Sequence, residues 1–413
     1  MIIKRDYYLQ QLISSKSNNL IKIVTGIRRS GKSFLLFNLF HNHLIETGIS
    51  EDHIIEIALD DRLNKNLRDP DVILQHIHER IVDDKLYYII LDEVQMIDEF
   101  TDVLNSLLHI RNADVYVTGS NSKFLSKDVV TEFRGRGDEI HLFPLSFAEL
   151  YNSIGGDKFE LWKSYYTYGG LPGILELDSE KKKAAYLRSL HETVYLKDII
   201  ERNNLKNSEE FMELMRVMAS CIGSPCNPSK LENTFKSVKN ETLDRKTISK
   251  YLSYMEDAFL IEKSMRYDIK GRKYIGTLSK YYFQDIGLRN ALLNFRQVEE
   301  NHIMENVIYN ELRLRGFSVD VGMVEARTAK ERKQLEVDFV ANMADRRYYI
   351  QSAFAMPDDD KREQECASLK KIDDSFKKII IMRDDIKPYH DNNGFYIVGL
   401  MDFLLKPDLI EQL

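Results

Sequence analysis

Short apolar segments alternate along the first third of the chain with stretches in which apolar residues recur at helical spacing. The apolar segments predict five strands, at residues 20–25, 53–59, 86–92, 114–118 and 139–143. Helical spacing is clearest in residues 34–47 and 71–82. Strands that alternate with helices pair in parallel through right-handed crossovers. Residues 1–155 are therefore predicted to form an α/β domain, a parallel sheet with helices on both faces.

The loop after the first predicted strand has the pattern G-x-x-x-x-G-K-[S/T]. In a loop of this kind, backbone N–H groups and the N-terminus of the following helix surround an anion. Lys32 would reach the β- and γ-phosphates, and the Ser33 hydroxyl would ligate Mg²⁺. An ordinary tight turn is the alternative. The predicted nucleotide-binding residues are Gly26, Ile27, Arg28, Arg29, Ser30, Gly31, Lys32, Ser33 and Phe34, with ATP and Mg²⁺ as cofactors.

A pair of acidic residues follows the third predicted strand, because the apolar segment 86–91 leads directly into Asp92 and Glu93. A strand buried on both faces would carry the Asp92 carboxylate to its tip, where it can hold Mg²⁺ through water. Glu93 would orient and polarise the water that attacks the γ-phosphate. Many strands end in surface charge, so it is the combination with Lys32 that indicates an ATPase site.

Three further side chains are candidates for contacts with the γ-phosphate. Asn121, or the neighbouring Ser120, follows the fourth predicted strand and is the candidate sensor. A turn rich in Asn and Ser is the alternative. Arg134 and Arg136 lie in a glycine-flanked loop before the fifth strand, where an arginine can act as a finger in cis or from a neighbouring subunit. A solvated basic loop is the alternative for these two.

Composition narrows the class of protein. A chain of 413 residues exceeds the usual size of one domain and predicts about two to four units. The net charge of -7 argues against a surface that binds polyanions throughout, although a local basic face remains compatible with it. The three cysteines do not make a disulfide framework, and we find no apolar segment of membrane-spanning length and no signal peptide. A cytoplasmic protein without a membrane partner is expected.

Several spaced motifs together resemble one protein family. They are Gly26–Ser33, Leu91–Gln95, Thr118–Ser122, Arg134–Arg136 and Pro144–Glu149. They are similar to a prokaryotic family of AAA+ P-loop ATPases that carry a winged helix and a C-terminal restriction-endonuclease-like domain of unknown function. The resemblance covers nearly the whole chain. It implies ATP binding and hydrolysis by a P-loop NTPase core, and it leaves open what the hydrolysis serves.

The middle of the chain is predicted to be largely helical. Residues 156–206 are interpreted as a helical lid or linker. Residues 207–285 contain three predicted helices and a β-hairpin that turns at 270–273, which together are typical of a winged helix. In a DNA-binding winged helix the last helix enters the major groove and the wing contacts the backbone, whereas other winged helices dock proteins. The candidate DNA contacts are Arg245, Lys246, Lys250, Lys270, Arg272 and Lys273.

Residues 286–413 have the predicted order helix, three strands, helix, strand. This is the order of the restriction-endonuclease core, the fold that the resemblance also implies. That fold holds Mg²⁺ through an aspartate and a second acidic or Gln ligand, and water attacks the phosphodiester with metal assistance. Asp338 fits the first ligand, Gln351 the second, and Glu305 is a further candidate ligand.

The lysine that such a nuclease needs is missing from its expected position. In such nucleases the lysine lies two residues after the second ligand. Here that position is occupied by Ala353. Lys330 and Lys333 lie in the preceding loop, and nothing in the sequence requires either of them to substitute. We therefore expect residues 286–413 to be a degenerate nuclease-like domain, with a structural or nucleic-acid-binding role.

The expected function is that of a Mg²⁺-dependent AAA+ ATPase whose nucleotide state rearranges the winged-helix and nuclease-like parts, with DNA as a candidate partner. One alternative is an ATP-regulated DNA nuclease that acts in defence. The other is a nucleotide switch that binds protein partners without DNA. A homo-oligomer is expected if an arginine acts between subunits.

Overall fold

Two β-sheets organise the chain, one in each of two structural units. The structure, a computed structural model, describes residues 3–119, 135–239, 243–327 and 332–412. The first unit consists of Met1–Leu145, Leu171–Glu176 and Asp257–Phe259, and the second of Ser146–Gly170, Leu177–Glu256 and Leu260–Leu413. Among the described residues, none of the helices has the length and apolarity that crossing a membrane requires.

The first unit contains the parallel sheet that the sequence predicts. Its strands are β1 (Ile21–Thr25), β2 (Ile54–Ala58), β3 (Tyr87–Asp92), β4 (Ala113–Thr118) and β5 (Gly137–His141), in the order β2-β3-β4-β1-β5. Every pairing between these strands is parallel. The described helices are α1 (Asp6–Ser14), α2 (Lys32–Phe34), α3 (His41–Glu46), α4 (Pro70–Arg80) and α5 (Phe100–Leu107). The first sheet is thus an α/β sheet of the P-loop NTPase type.

The central strands β1, β3 and β4 are buried on both faces, as near-continuous apolar segments predict, whereas the edge strand β5 is only partly buried. One apolar cluster packs α4 and α5 against the sheet, and another packs α1 and the helix after the phosphate loop. That helix differs from the prediction of a single α-helix over 34–47. Its central turn, Leu35–Phe40, is π-helical and joins α2 to α3. Such single turns inside α-helices are often found at functional sites.

The N-terminal helix α1 supports the phosphate loop, a role that sequence reasoning did not assign. The buried Arg5 guanidinium donates to the Ser30 carbonyl at 3.2 Å and to the Phe143 carbonyl at 2.8 Å. The Tyr8 hydroxyl accepts from the N–H of Phe143 at 3.2 Å. These bonds connect three segments distant in sequence, and they hold the middle of the loop against the end of β5.

The second unit begins with helices and ends with a mixed sheet. Its described helices are α6 (Phe147–Ile154), α7 (Lys158–Tyr168), α8 (Glu180–Leu190), α9 (Lys197–Asn203), α10 (Ser208–Ser220), α11 (Pro228–Thr234), α12 (Arg245–Asp257), α13 (Ile286–Leu292), α14 (Glu300–Leu314), α15 (Asp359–Cys366), α16 (Leu400–Leu405) and α17 (Leu409–Gln412). Its strands are β6 (Ile261–Asp268), β7 (Lys273–Phe283), β8 (Ser318–Arg327), β9 (Arg332–Met343), β10 (Arg346–Ala353), β11 (Lys377–Met382), β12 (Tyr389–His390) and β13 (Tyr396–Gly399).

The sheet of the second unit has the order β12-β13-β11-β10-β9-β8-β6-β7. Strands β8, β9 and β10 form an antiparallel meander, and β11 pairs in parallel with β10. Helix α14 precedes this meander and α15 follows it, so the element order is the one predicted for residues 286–413. Apolar clusters cover both faces, one including α14 and α16 and the other including the end of α15.

The β-hairpin of β6 and β7 belongs to this same sheet, which sequence reasoning did not anticipate. Strand β6 pairs in parallel with β8, with Arg266 opposite Val321 and Asp268 opposite Met323. The hairpin is therefore continuous with the C-terminal strands across the boundary that we predict at residue 285. The three helices before it, α10 to α12, are present where the winged-helix prediction requires helices.

Candidate nucleotide site

The nucleotide site is assembled at the carboxyl ends of three adjacent strands. Val24 of β1 lies opposite Thr118 of β4, and Leu91 of β3 lies opposite Val117 of β4. The phosphate loop begins directly after β1, and Asp92 ends β3. Because parallel strands end at the same edge of a sheet, the loop, Asp92 and Thr118 are neighbours.

The loop backbone requires glycine at its first position. Gly26 has a φ of 135°, and a Cβ added there would lie 2.2 Å from the carbonyl oxygen of Leu142. Gly31 has a φ of 99° and precedes the first helical residue, Lys32. Both glycines in the motif are thus required by backbone conformation, the first also by a close approach to the end of β5.

Lys32 is buried and folded back onto the loop. Its Nζ donates to the carbonyl oxygens of Gly26 at 2.9 Å and Ile27 at 3.1 Å. Burial lowers the pKa of Lys32 to about 8, although the nearby carboxylates of Glu93 and Asp92 oppose that change. The ammonium group is therefore close to both acidic residues of the predicted site, and a bound phosphate would further favour its charged form.

Asp92 and Ser33, the two predicted Mg²⁺ ligands, are brought together. The Asp92 carboxylate is hydrogen-bonded by the side chains of Thr118 and Ser33. Burial raises the pKa of Asp92, and these two hydrogen bonds act in the opposite direction. A buried carboxylate beside a hydroxyl provides the oxygen donors that Mg²⁺ prefers. These residues therefore fit the metal that the sequence predicts.

Glu93 has a backbone conformation that is uncommon for a residue with a side chain. Its φ is 54°, in the left-handed region. Its N–H donates to the Thr118 hydroxyl at 2.9 Å, and its carboxylate accepts from the Gln95 side-chain amide. Strained backbone of this kind persists only where the surroundings hold it, and it concentrates at functional sites.

Thr118 is the residue of this site that sequence reasoning missed. It is fully buried at the end of β4, and its hydroxyl donates to Asp92 and accepts from the N–H of Glu93. One hydroxyl therefore positions both predicted acidic residues. In the sequence Thr118 only begins the motif Thr118–Ser122 and ends an apolar strand, and neither signal gives it a role at Asp92 and Glu93.

We expect Thr118→Val to impair the site while preserving the shape of the side chain. The buried Asp92 carboxylate would lose a donor and the Glu93 N–H an acceptor, which costs about 1–3 kcal/mol of unfolding free energy. ATP turnover should also fall, because Glu93 loses its anchor. Urea unfolding and steady-state phosphate release measure the two effects. Thr47→Val is the matched control, since the Thr47 hydroxyl donates to the carbonyls of His43 and Leu44 in its own helix. An equal loss in that variant would contradict the role of Thr118.

One buried polar atom in the loop lacks a hydrogen-bond partner within the described part of the chain. The Ser30 side chain is fully buried, and its Oγ has no hydrogen-bond partner among the described residues. An unsatisfied buried hydroxyl is costly, and a ligand that supplies acceptors would remove that cost.

The other predicted loop residues differ in exposure. Arg29 is exposed with a φ of 65°, Arg28 is half-buried, and Phe34 is 37% exposed at the start of the helix.

The predicted sensor and one predicted finger, Asn121 (or Ser120) and Arg134, lie outside the described residues. Arg136 is described and precedes β5, where its carbonyl accepts from the N–H of Ile21 at the start of β1. It therefore lies at the amino edge of the sheet, and the five-residue strand β1 separates it from the phosphate loop by about 16 Å. Arg136 does not reach the nucleotide site of its own chain in this arrangement.

The second predicted metal site lies in the other unit and contains an unexpected lysine. Asp338 accepts from the N–H of Ser352 at 2.8 Å, and the Gln351 amide oxygen accepts from the N–H of Asp338 at 3.4 Å. Lys280 of β7 donates to Glu305 at 2.8 Å and lies 3.8 Å from Asp338. Among the described residues, no group of three His, Cys, Asp or Glu side chains is arranged to hold a metal ion.

Burial and neighbouring charges together set the pKa values at this second site. Burial raises the pKa of Asp338, and the charge of Glu305 raises it further. Burial alone would lower the pKa of Lys280, but the carboxylates around it outweigh that effect and raise it. Ala353 is buried in the apolar cluster opposite Met382, so the expected lysine position faces apolar side chains. Lys333 is exposed, and Lys330 lies outside the described residues.

The candidate DNA contacts are all exposed in the second unit. Arg245, Lys246 and Lys250 lie on α12, and Lys270, Arg272 and Lys273 lie at the turn of the hairpin. Lys270 is also 3.6 Å from the Asp373 carboxylate. The structure thus presents these residues to solvent at two places, on α12 and at the turn of the hairpin.

Two family models and two relatives match this chain. Residues 18–151 match a family model described as an AAA domain, and residues 159–299 match one described as a domain of unknown function. An uncharacterized protein of Haemophilus influenzae is 34% identical over 414 residues, covering 98% of this chain and 99% of that protein. The uncharacterized protein MJ1544 of Methanocaldococcus jannaschii is 29% identical over 407 residues, covering 93% of this chain and 86% of that protein.

Among solved structures, the Aeropyrum pernix Orc1 protein in complex with DNA matches with a TM-score of 0.30 and 12% identity, covering 71% of this chain and 92% of that one. Cdc6p from Pyrobaculum aerophilum matches with a TM-score of 0.29 and 12% identity, covering 73% of this chain and 94% of that one. Scores of this size add nothing to what the sheet itself shows. This chain, an AAA domain with a P-loop NTPase fold followed by a domain of unknown function, belongs to the same family as the Haemophilus influenzae protein.

Proposed function

We propose that this protein is a Mg²⁺-dependent AAA+ ATPase that hydrolyses ATP to ADP and phosphate. The observation that carries the proposal is the arrangement of Asp92, Glu93 and Thr118 at two adjacent strand ends, beside the buried Lys32. A loop that only binds phosphate needs no strained glutamate anchored next to it. A site that also activates water does need a carboxylate held at a fixed position.

Nucleotide binding would replace the internal contacts of Lys32. Its ammonium group now donates to two loop carbonyls, and it can turn from them to the β- and γ-phosphate oxygens. The loop N–H groups and the Ser30 hydroxyl would add donors to the phosphates. Ser33 and Asp92 would hold Mg²⁺, which neutralises phosphate charge when it is bound.

Hydrolysis would depend on the Glu93 carboxylate. With its backbone fixed by Thr118, the carboxylate can accept a hydrogen bond from a water molecule and orient that water toward the γ-phosphate. The Gln95 amide donates to the same carboxylate and restricts its rotation. Positioning of this kind contributes to phosphoryl transfer together with the neutralisation of charge.

Phosphate release from ATP by the full chain, with Mg²⁺ and with EDTA, tests the proposal directly. We expect release only with Mg²⁺, and we expect Lys32→Ala to weaken ATP binding by about 100-fold or more, because it removes a buried charged partner of the phosphates. Lys65→Ala is the matched control, since Lys65 is an exposed lysine of the same unit. Normal binding and turnover by Lys32→Ala would refute the assignment.

We further propose that Arg136 or Arg134 acts in trans, so that the active form is a homo-oligomer. The position of Arg136 at the amino edge of its own sheet supports a role toward a neighbouring chain rather than its own site. A finger supplied in trans makes the turnover per chain depend on assembly. The rate per chain should therefore rise with protein concentration and fall on mixing with an excess of Arg136→Ala chains.

We also propose that the energy of hydrolysis rearranges the second unit on DNA. The exposed basic residues of α12 and of the hairpin turn favour this over a switch that binds only proteins. Contacts to phosphates require that affinity for DNA falls as salt rises. A titration at several salt concentrations, with Lys250→Glu and Arg272→Glu, should show a smaller salt slope for the variants. Equal slopes would favour the protein-binding switch.

A further inference from the structure

Four ionisable side chains from three elements meet inside the second unit. Lys280 of β7, Glu305 of α14, and Glu336 and Asp338 of β9 form what we call the Lys280 cluster. The Lys280 Nζ lies 2.8 Å from Glu305, 2.8 Å from Glu336 and 3.8 Å from Asp338. The lysine is 2% exposed, and the Tyr282 hydroxyl donates to Glu305 at 2.7 Å. The ammonium group is therefore the centre of the cluster.

The geometry of the cluster is that of carboxylates gathered around a cation. Three acidic side chains this close together would repel one another without a positive charge among them. Asp338 and Glu305 are two of the ligands that the sequence predicts for a divalent cation. The ammonium of Lys280 lies between them, 2.8 Å from Glu305 and 3.8 Å from Asp338, whereas Mg²⁺ binds oxygen at about 2.0–2.1 Å.

We propose that Lys280 takes the place of a divalent cation in this cluster, so that the predicted second metal site is a latent one, closed by an internal ammonium group. The residues present do not fit a metal while Lys280 is there, because a second cation would have to share the same carboxylate oxygens. The cluster binds the hairpin to α14 and β9 instead, and it does not cut phosphodiesters. The position of Lys280 therefore argues against the nuclease alternative, independently of the lysine that is missing at Ala353.

Two further contacts support this role of the cluster as a connection between elements. The Arg313 guanidinium of α14 donates to Glu262 of β6 at 2.7 Å, and β6 pairs with β8. Lys280 is thus one buried member of a set of links that join the hairpin to α14 and to the C-terminal strands. A cleft of about 640 Å³ reaches Glu305 and Ser352 from solvent. An ion could therefore enter if the ammonium group were removed.

The experiment measures Mn²⁺ binding to the full chain without nucleotide, by isothermal titration calorimetry and by thermal unfolding. Lys280→Met keeps an unbranched side chain of similar length and removes the charge. We expect its Tm without metal to fall by about 5 °C or more. We also expect it to bind one more Mn²⁺ per chain than the natural protein and to recover Tm when Mn²⁺ is added. The double variant Lys280→Met/Asp338→Asn should not bind the additional Mn²⁺, and Mn²⁺ should not restore its Tm.

Controls separate the cluster from the nucleotide site. Lys370→Met, which removes a lysine paired with Glu363 on the surface, should gain no Mn²⁺. The natural protein and a Glu336→Gln variant should bind the same amount of Mn²⁺, and this comparison decides the question if Lys280→Met does not fold. A Mn²⁺ site in the natural protein that Glu336→Gln loses would overturn the proposal. So would the absence of any gain in folded Lys280→Met, or nicking of plasmid DNA by the natural protein that Lys280→Met abolishes. These readouts do not involve ATP hydrolysis, so they stand apart from the proposed ATPase.

Discussion

Glu93→Gln is expected to bind ATP normally and to hydrolyse it about 10²–10⁴-fold more slowly. Glutamine has nearly the same shape as glutamate, so it can keep the left-handed backbone conformation and the bond from the residue 93 N–H to Thr118. Its amide carries no negative charge and polarises the attacking water far less. Single-turnover phosphate release gives the rate, and titration with a fluorescent ATP analogue gives the affinity.

A neighbouring glutamate provides a close control for this variant. Glu99 also has a positive φ, 50°, and is exposed at the start of α5. Glu99→Gln therefore makes the same chemical change on a similar backbone but outside the predicted site, and its turnover should match that of the natural protein. If Glu93→Gln also turns over at the natural rate, Glu93 does not activate water, and another base must be sought.

Gly26→Ala is expected to cost at least about 3 kcal/mol of unfolding free energy and to abolish nucleotide binding. The added Cβ would lie 2.2 Å from the Leu142 carbonyl oxygen, on a backbone with a φ of 135°. Since the obstruction is backbone rather than a flexible side chain, the loop or the end of β5 must move. Urea unfolding and ATP titration measure the two effects.

Gly48→Ala separates steric collision from backbone strain. Gly48 also has a positive φ, 91°, but a Cβ there would meet nothing within 4 Å. Its replacement should cost only the strain of the left-handed region, about 1 kcal/mol. Equal losses for the two variants would mean that the approach of Leu142 is unimportant and that backbone strain alone fixes the first glycine of the motif.

The sequence predicts those parts of the candidate nucleotide site whose signals are local. The octet from Gly26 to Ser33 and the pair Asp92 and Glu93 each consist of consecutive residues with a defined chemistry. The parallel sheet followed from the alternation of strands and helices, and the strands lie where the apolar segments are. These features are encoded in short stretches, so one sequence is enough to predict them.

The contacts that sequence reasoning missed join residues far apart in the chain. Thr118 serves Asp92 and Glu93 only because β3 and β4 pair in one particular register. The sequence does not point to Lys280 as a neighbour of Asp338, because the two residues are far apart in the chain and the winged-helix prediction places β7 in a separate wing. The Arg5 contacts depend in the same way on tertiary packing. Such contacts follow from strand order, which the pattern of one chain does not specify.

The shared sheet also bears on the order in which this protein can fold as it is synthesised. The hairpin leaves the ribosome before α14, β8 and β9 exist, yet its strand β6 pairs with β8 and its Lys280 finds its carboxylates on α14 and β9. The nucleotide unit, by contrast, has all five of its strands once residue 141 has been made. The hairpin can therefore be completed only after β9, which ends at Met343, has been synthesised. Until then a charged lysine and an unpaired strand edge remain exposed to solvent and to chaperones.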